Sequence, residues 1–246
     1  MITLLLIGIG TGNPDHVTGQ AIKALNGADL ILIPRKGEAK SDLADLRRQI
    51  LSQVLTTPVP VADYDVPQRA DQDDYLGAVN DWHDAIADTW AKTIATHPGA
   101  RTVALMVWGD PSLYDSTLRI AARLSHFNVK VIPGITSLQA LTAAHAIPLN
   151  TLAAPVIITT GRQLRDNGWP DGATTLAVML DKGGAFTGLP PDTLIWWGAY
   201  VGMPEETLIH GPLSQVQDDI LATRARLRAE HGWIMDIYLL RRGGDV

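Results

Sequence analysis

The chain contains no cysteine. That removes disulfides, thiolate nucleophiles and cysteine-ligated zinc from its chemistry. Any reaction must use oxygen or nitrogen groups or a bound cofactor. No apolar run approaches the roughly 20 residues needed to cross a bilayer. The N-terminus has neither the basic flank nor the small-residue cleavage site of a secretory signal. A soluble, cytoplasmic protein with no membrane partner is expected. Positive charge is scarce too: 20 Lys and Arg stand against 26 Asp and Glu, a formal net charge of -6. This argues against a nucleic-acid surface but leaves room for a few arginines facing an anionic small molecule.

Two nucleotide-binding signatures are also missing. Residues 2–7 form a continuous apolar run, the pattern of a strand buried on both faces, and Gly8-Ile9-Gly10-Thr11-Gly12-Asn13-Pro14 breaks it. A dinucleotide fingerprint would need glycine at 13, where Asn13 stands before Pro14, and no Gly-Lys-Ser/Thr follows to make a P-loop. What remains is a loop that turns tightly or lets the backbone approach a ligand. There is no internal repeat and no low-complexity linker.

What is present is alternation. With 246 residues, 46% of them hydrophobic, the chain can bury one large or two small cores. After the first strand, helices are expected over 15–25, 40–55, 75–96, 118–124 and 138–146, and strands over 28–34, 59–61, 102–106 and 129–132. That order implies α/β architecture, a mostly parallel sheet covered on both sides. The acidic stretch 63–74 reads as a solvated loop, since it lacks the spacing of a calcium site, and no metal is expected. The helix over 40–55, striped with Leu43, Leu46, Ile50 and Leu51, offers nothing chemical. From Ile147-Pro148-Leu149-Asn150 the texture changes. Strands are expected over 155–160, 174–180, 193–200, 206–211 and 233–240, with a polar helix over 214–230.

Chemistry collects where strands end, the edge at which open α/β sheets bind ligands. Val107-Trp108-Gly109-Asp110-Pro111-Ser112-Leu113-Tyr114-Asp115-Ser116-Thr117 follows one strand, Pro133-Gly134-Ile135-Thr136-Ser137 another, and Arg35-Lys36-Gly37 a third. The hydroxyls of Thr136 and Ser137 can cap a helix or bind a ligand. Trp82, Trp90, Trp196, Trp197 and Trp233 read as mostly core, leaving Trp108 placed to see a ligand. His83 reads as a surface or satisfied residue.

Taken together, the loop from Gly8 to Pro14, Gly109-Asp110-Pro111, Pro133-Gly134-Ile135-Thr136-Ser137, Ile147-Pro148-Leu149 and the strand holding Met179 resemble the tetrapyrrole methyltransferases, in order and spacing. The resemblance implies two α/β domains, 1–137 with a mostly parallel sheet and 138–246 with a mixed one, holding S-adenosylmethionine in a cleft between them. It also implies a homodimer. By position, Thr11, Trp108, Gly109, Asp110, Leu113, Thr136, Ser137, Met179, Tyr200 and Val201 would line the S-adenosylmethionine site. The family often has proline where Thr11 stands and glycine where Val201 stands. Gly10, Gly12, Arg35, Arg119 and Arg162 would meet an anionic tetrapyrrole, the arginines pairing with its carboxylates.

Ile158-Thr159-Thr160-Gly161-Arg162, Val178-Met179-Leu180-Asp181, Trp197-Gly198-Ala199-Tyr200 and Gly232-Trp233-Ile234-Met235-Asp236 narrow the resemblance. They are similar to members that methylate C1 of precorrin-5, releasing S-adenosylhomocysteine and a two-carbon fragment as acetate. Acetate release calls for a base or an oxyanion donor, and Asp115, Asp110 and Tyr114 are the candidates, with His145 and Asp181 behind them. Methylation of another ring carbon, or tetrapyrrole binding without catalysis, are the alternatives.

Overall fold

A computed structural model describes residues 1–35, 41–70 and 74–242; Lys36, Gly37 and the acidic residues at 71–73 lie outside these. The chain divides into two compact units, Met1–Thr136 and Ser137–Val246.

In the first unit, β1 (Ile2–Gly8), β2 (Leu30–Arg35), β3 (Val61–Asp65), β4 (Thr102–Val107) and β5 (Phe127–Ile132) form a parallel sheet in the order β3-β2-β4-β1-β5. The apolar runs are explained by their alternation. Leu4, Leu6, Leu30, Leu32, Val103 and Leu105 point to one face, under α3 (Tyr75–Ala95) and α4 (Thr117–Ala121). Leu5, Ile7, Ile31, Ile33, Ala104 and Met106 point to the other, under α1 (Gly19–Asn26) and α2 (Ser41–Val54). Burying the middle of a strand on both faces replaces polar–apolar alternation there with a continuous apolar run.

The connection from β2 to β3 runs outward on one side of the sheet and that from β4 to β5 on the other. The winding therefore reverses between the neighbours β2 and β4, and such a reversal opens a crevice at the strands' carboxyl ends. The register shows the parting: β2 pairs with β4 only from Leu30↔Val103 to Leu32↔Leu105.

Several expectations are corrected. The helix foreseen over 15–25 starts later, because Asn13 accepts from the Asp15 N–H (2.9 Å) to cap a separate 3-10 turn, Pro14–His16, and Thr18 caps α1 through the Ala21 N–H (3.1 Å). The strand expected over 59–61 starts only at the end of that range and runs on as β3 into the stretch 63–74 taken for an acidic loop. Ala62 and Tyr64 turn inward while Asp63 and Asp65 turn out to Arg48 (2.6 Å) and Arg35 (3.1 Å). His83 is buried on α3, and its Nε2 has no hydrogen-bond partner among the described residues.

In the second unit, β6 (Val156–Thr160), β7 (Thr175–Met179), β8 (Leu194–Ala199), β9 (Thr207–Pro212) and β10 (Asp236–Arg241) form a mixed sheet in the order β6-β7-β10-β8-β9. β10 runs antiparallel between β7 and β8, so β6, β7 and β8 end at the edge where β10 begins. α5 (Ser137–Ala144) packs on β8 and β10, and α7 (Leu213–His231) on β8 and β9. The short helix α6 (Gly161–Asn167), capped by Thr160, carries too few apolar residues to be foreseen.

Candidate active site

Three loops meet at the carboxyl edge of the parallel sheet. The loops after β1 and β4 are bonded as a two-residue bridge: the Gly109 N–H donates to the Gly10 carbonyl (2.8 Å) and the Gly10 N–H to that of Gly109 (3.3 Å). The loop after β5 closes on both. A Cβ on Gly134 would lie 2.2 Å from the Gly109 oxygen, and one on Gly8 2.6 Å from the Gly134 nitrogen. Glycine at 8 and 134 is thus a packing requirement. Gly109 differs: its φ is +65°, and the nearest heavy atom to an added Cβ is the Thr136 Cα at 4.0 Å. The backbone there is bare beside open space.

Asp110 locks this arrangement. Its Oδ1 accepts from the Ser112 N–H (2.8 Å) and hydroxyl (2.5 Å), and its Oδ2 from the Gly134 N–H (2.8 Å). Burial alone would raise its pKa; the hydrogen bonds from the Ser112 hydroxyl, Gly134 and the Ser112 N–H outweigh that and hold the carboxyl below its usual range. A carboxylate so occupied is a poor general base. Asp115 is half occupied among the described residues, its Oδ1 accepting from the Thr117 N–H (2.6 Å) at the start of α4. Tyr114, between them, is exposed, and its φ of +48° is one that non-glycine residues rarely adopt. Thr11 is buried, with its hydroxyl 2.9 Å from His16 Nδ1.

In the second unit, Met179 ends β7, and Tyr200 and Val201 follow β8. The Tyr200 side chain is committed to structure: its hydroxyl donates to the Trp233 carbonyl (2.6 Å) and its ring stacks edge-on against the Trp233 ring. Leu180 and Tyr200 both take positive φ, +53° and +50°, the kind of local strain that gathers at ligand sites. Asp181 is buried and fully engaged. It accepts from the Tyr238 hydroxyl (2.8 Å) and from the N–H groups of Gly183 (3.0 Å) and Ala185 (2.6 Å). His145 Nε2 sits 3.1 Å from the Trp197 carbonyl and faces the His210 ring; burial holds its pKa below the usual value.

The arginines fall into different settings. Arg35 is spread over Asp65 on the neighbouring strand, Arg119 is exposed and donates to the Asp115 carbonyl (3.0 Å), and Arg162 is exposed in the first turn of α6. A fourth was missed. Arg47 of α2 donates from Nε to the Met106 carbonyl (3.1 Å) and from Nη1 to the Leu43 carbonyl (3.0 Å), and its guanidinium lies 5.7 Å from the centre of the Trp108 ring. The signal lay in the helix stripe, where Arg47 stands one turn from Leu43 and one turn from Ile50 and Leu51, at a position otherwise apolar.

A parallel doubly wound unit with glycine loops crowding one edge, joined to a mixed five-stranded unit, matches known proteins. The profile of the tetrapyrrole (corrin/porphyrin) methylases covers residues 3–217, and the chain belongs to that family. It is 48% identical over 254 aligned positions to a precorrin-6A synthase (deacetylating) of Sinorhizobium sp, spanning 100% of this chain and 97% of that one. Among solved structures, a cobalamin synthesis related protein (CobF) of Corynebacterium diphtheriae superposes with a TM-score of 0.82 at 39% identity, covering 98% and 99% of the two chains. The uroporphyrin-III C-methyl transferase of Thermus thermophilus, solved with S-adenosylhomocysteine, shares the fold at a TM-score of 0.62 and 19% identity over 97% and 92% of the chains.

Proposed function

We propose that this protein is an S-adenosylmethionine-dependent C-methyltransferase of corrin formation, methylating C1 of precorrin-5 and releasing acetate to give precorrin-6A. The observation that carries this reading is the 48% identity, end to end, with the Sinorhizobium enzyme of that activity. The three-loop edge supports it independently. An extended, zwitterionic cofactor needs bare backbone and hydroxyls at a sheet edge, and the open space at Gly109 beside Thr136 fits that need.

On this reading Gly109, Thr11 and Thr136 hold the cofactor's polar end, while Trp108 and Leu113 serve its apolar surfaces. Bound there, the cofactor supplies an electrophilic methyl group and leaves as S-adenosylhomocysteine. Asp110 acts by fixing the loops. The protein's part in methylation is to hold the nucleophilic carbon in line, which removes the entropic cost of encounter. Gly10, Gly12, Arg35, Arg119 and Arg162 are assigned to the tetrapyrrole. Tyr114 borders the same loop.

Acetate release needs a proton acceptor, and Asp115 is the better candidate because, among the described residues, one of its oxygens is tied to the backbone where both of Asp110's are. Asp115 takes a proton from water as the oxygen adds to the acyl carbon. The bond from that carbon to the ring then breaks, and its electron pair stays with the macrocycle. Mass analysis of the product from purified precorrin-5 should show the gain of one methyl and the loss of the acetyl group. Retention of the acetyl group would leave only the coarser methyltransferase reading. In Asp115→Asn, methylation should continue while acetate release falls at least 100-fold; release at the normal rate removes Asp115 from the role. A homodimer in the cytoplasm completes the proposal, and light scattering giving the mass of one chain would remove the dimer.

A further inference from the structure

Arg47 is the least explained charge in the first unit. Its Nε reaches the Met106 carbonyl where β2 has parted from β4, at the crevice formed by the reversal of winding. Only two of its five N–H groups have partners among the described residues, both neutral carbonyls. No carboxylate oxygen among those residues comes within 4.0 Å of it. Tyr64 offers no counter-charge, since burial pushes its phenol up to about 12. Asp115, the other charge facing it, interacts with it but makes no ion pair. Burial depresses the guanidinium's own pKa. Placing a cation with no carboxylate partner among the described residues in such a position costs folding energy, and an arginine already fixed through two of its N–H groups is preorganised to offer the rest to an anion.

We propose that Arg47 is the carboxylate-binding residue of this site, its guanidinium held by the Met106 and Leu43 carbonyls and by Trp108 so that its remaining N–H groups donate to a ligand carboxylate at the β2–β4 crevice. The proposal rests on the functional reading above, which supplies two carboxylate ligands, the methionine end of the cofactor and the acid side chains of the macrocycle. Trp108, whose ring centre lies 5.7 Å from the Arg47 guanidinium, links the residue to the Gly109 loop, and the planar fork matches the two oxygens of a carboxylate.

Calorimetric titration of wild type and Arg47→Gln with S-adenosylmethionine and its decarboxylated analogue, and fluorescence titration with the polycarboxylate uroporphyrin, separate the two sources. If the cofactor supplies the carboxylate, Arg47→Gln weakens S-adenosylmethionine binding about tenfold or more and no longer distinguishes it from the decarboxylated analogue. If the macrocycle supplies it, cofactor binding is unchanged and uroporphyrin binding weakens by a similar factor. In both cases Arg47→Lys recovers only part of the loss. Should Arg47→Gln fail to fold, wild type carries the test: one of the two ligands must protect Arg47 from phenylglyoxal, read by peptide mass. Wild type binding both ligands, with Arg47→Gln equal to it or Arg47 unprotected, overturns the role of Arg47 alone. Wild type binding neither ligand overturns the functional reading and this one with it.

Discussion

Gly109 and Gly134 face each other across one peptide, yet alanine should affect them differently. At Gly134 the new methyl would meet backbone atoms of Gly109 and Gly8 at 2.2–2.8 Å, which cannot rotate away. Gly134→Ala should therefore cost about 1–3 kcal/mol or more in a denaturant melt. At Gly109 the methyl enters open space, so the fold loses only about 1–2 kcal/mol for the left-handed backbone. The larger effect should fall on the calorimetric affinity for S-adenosylmethionine. Asp110 can be tested through pH. Its folded pKa lies below the ordinary 3.8, so its contribution is fully present above that value and is lost as pH falls through the folded pKa. Asp110→Asn should destabilise by about 1–3 kcal/mol near pH 7, with the gap to wild type closing in acid melts below pH 3.8.

Among the elements, α7 makes the most consequential polar contact with its sheet. Arg224 donates from Nε to Asp236 at the start of β10 (2.8 Å) and from Nη2 to the Asp181 carbonyl (2.8 Å), and Trp197 of β8 donates to the same Asp236 oxygen (3.2 Å). Burial raises the Asp236 pKa despite these donors. Arg224→Met strands that carboxylate and should cost about 3–5 kcal/mol at pH 7. A raised folded pKa means that stability is greatest with the carboxyl protonated and falls as pH rises through that pKa. The penalty of Arg224→Met should accordingly shrink as melts are taken from neutral towards acid pH. Element by element, legibility in the sequence followed burial. Strands covered on both faces, such as β1 and β4, stand out as apolar runs. β3 does not, because its outer face is acidic and its inner face offers only Ala62 and Tyr64. The loops of the candidate site were legible as loops through glycine, proline and hydroxyl residues at strand ends. The left-handed Tyr114, Leu180 and Tyr200 were not, since no glycine marks them. Neither was Arg47, because a helix stripe records which side is buried and not what a cation finds there.

For the molecule as a whole, the loops are held by their own backbone contacts before any ligand arrives: Gly8, Gly109 and Gly134 touch, and Asp110 pins the third loop to the second. A site built this way spends little binding energy on ordering itself, and a ligand that binds only the folded chain stabilises it by mass action. Saturation at 100 times Kd is worth about 2.7 kcal/mol. At about 2–4 °C per kcal/mol for a chain of this size, S-adenosylmethionine or S-adenosylhomocysteine should raise Tm by roughly 5–10 °C. NAD and ATP should leave it unchanged, because the loop after β1 has neither Gly at 13 nor a P-loop lysine. The melt of Gly109→Ala then separates two claims. If its shift disappears while its unliganded Tm stays within a few degrees of wild type, the bare backbone at Gly109 is part of the cofactor site. If the full shift survives, the methyltransferase reading stands and Gly109 is only a turn. A wild-type melt unmoved by either ligand would remove Thr11, Gly109 and Thr136 from cofactor binding together.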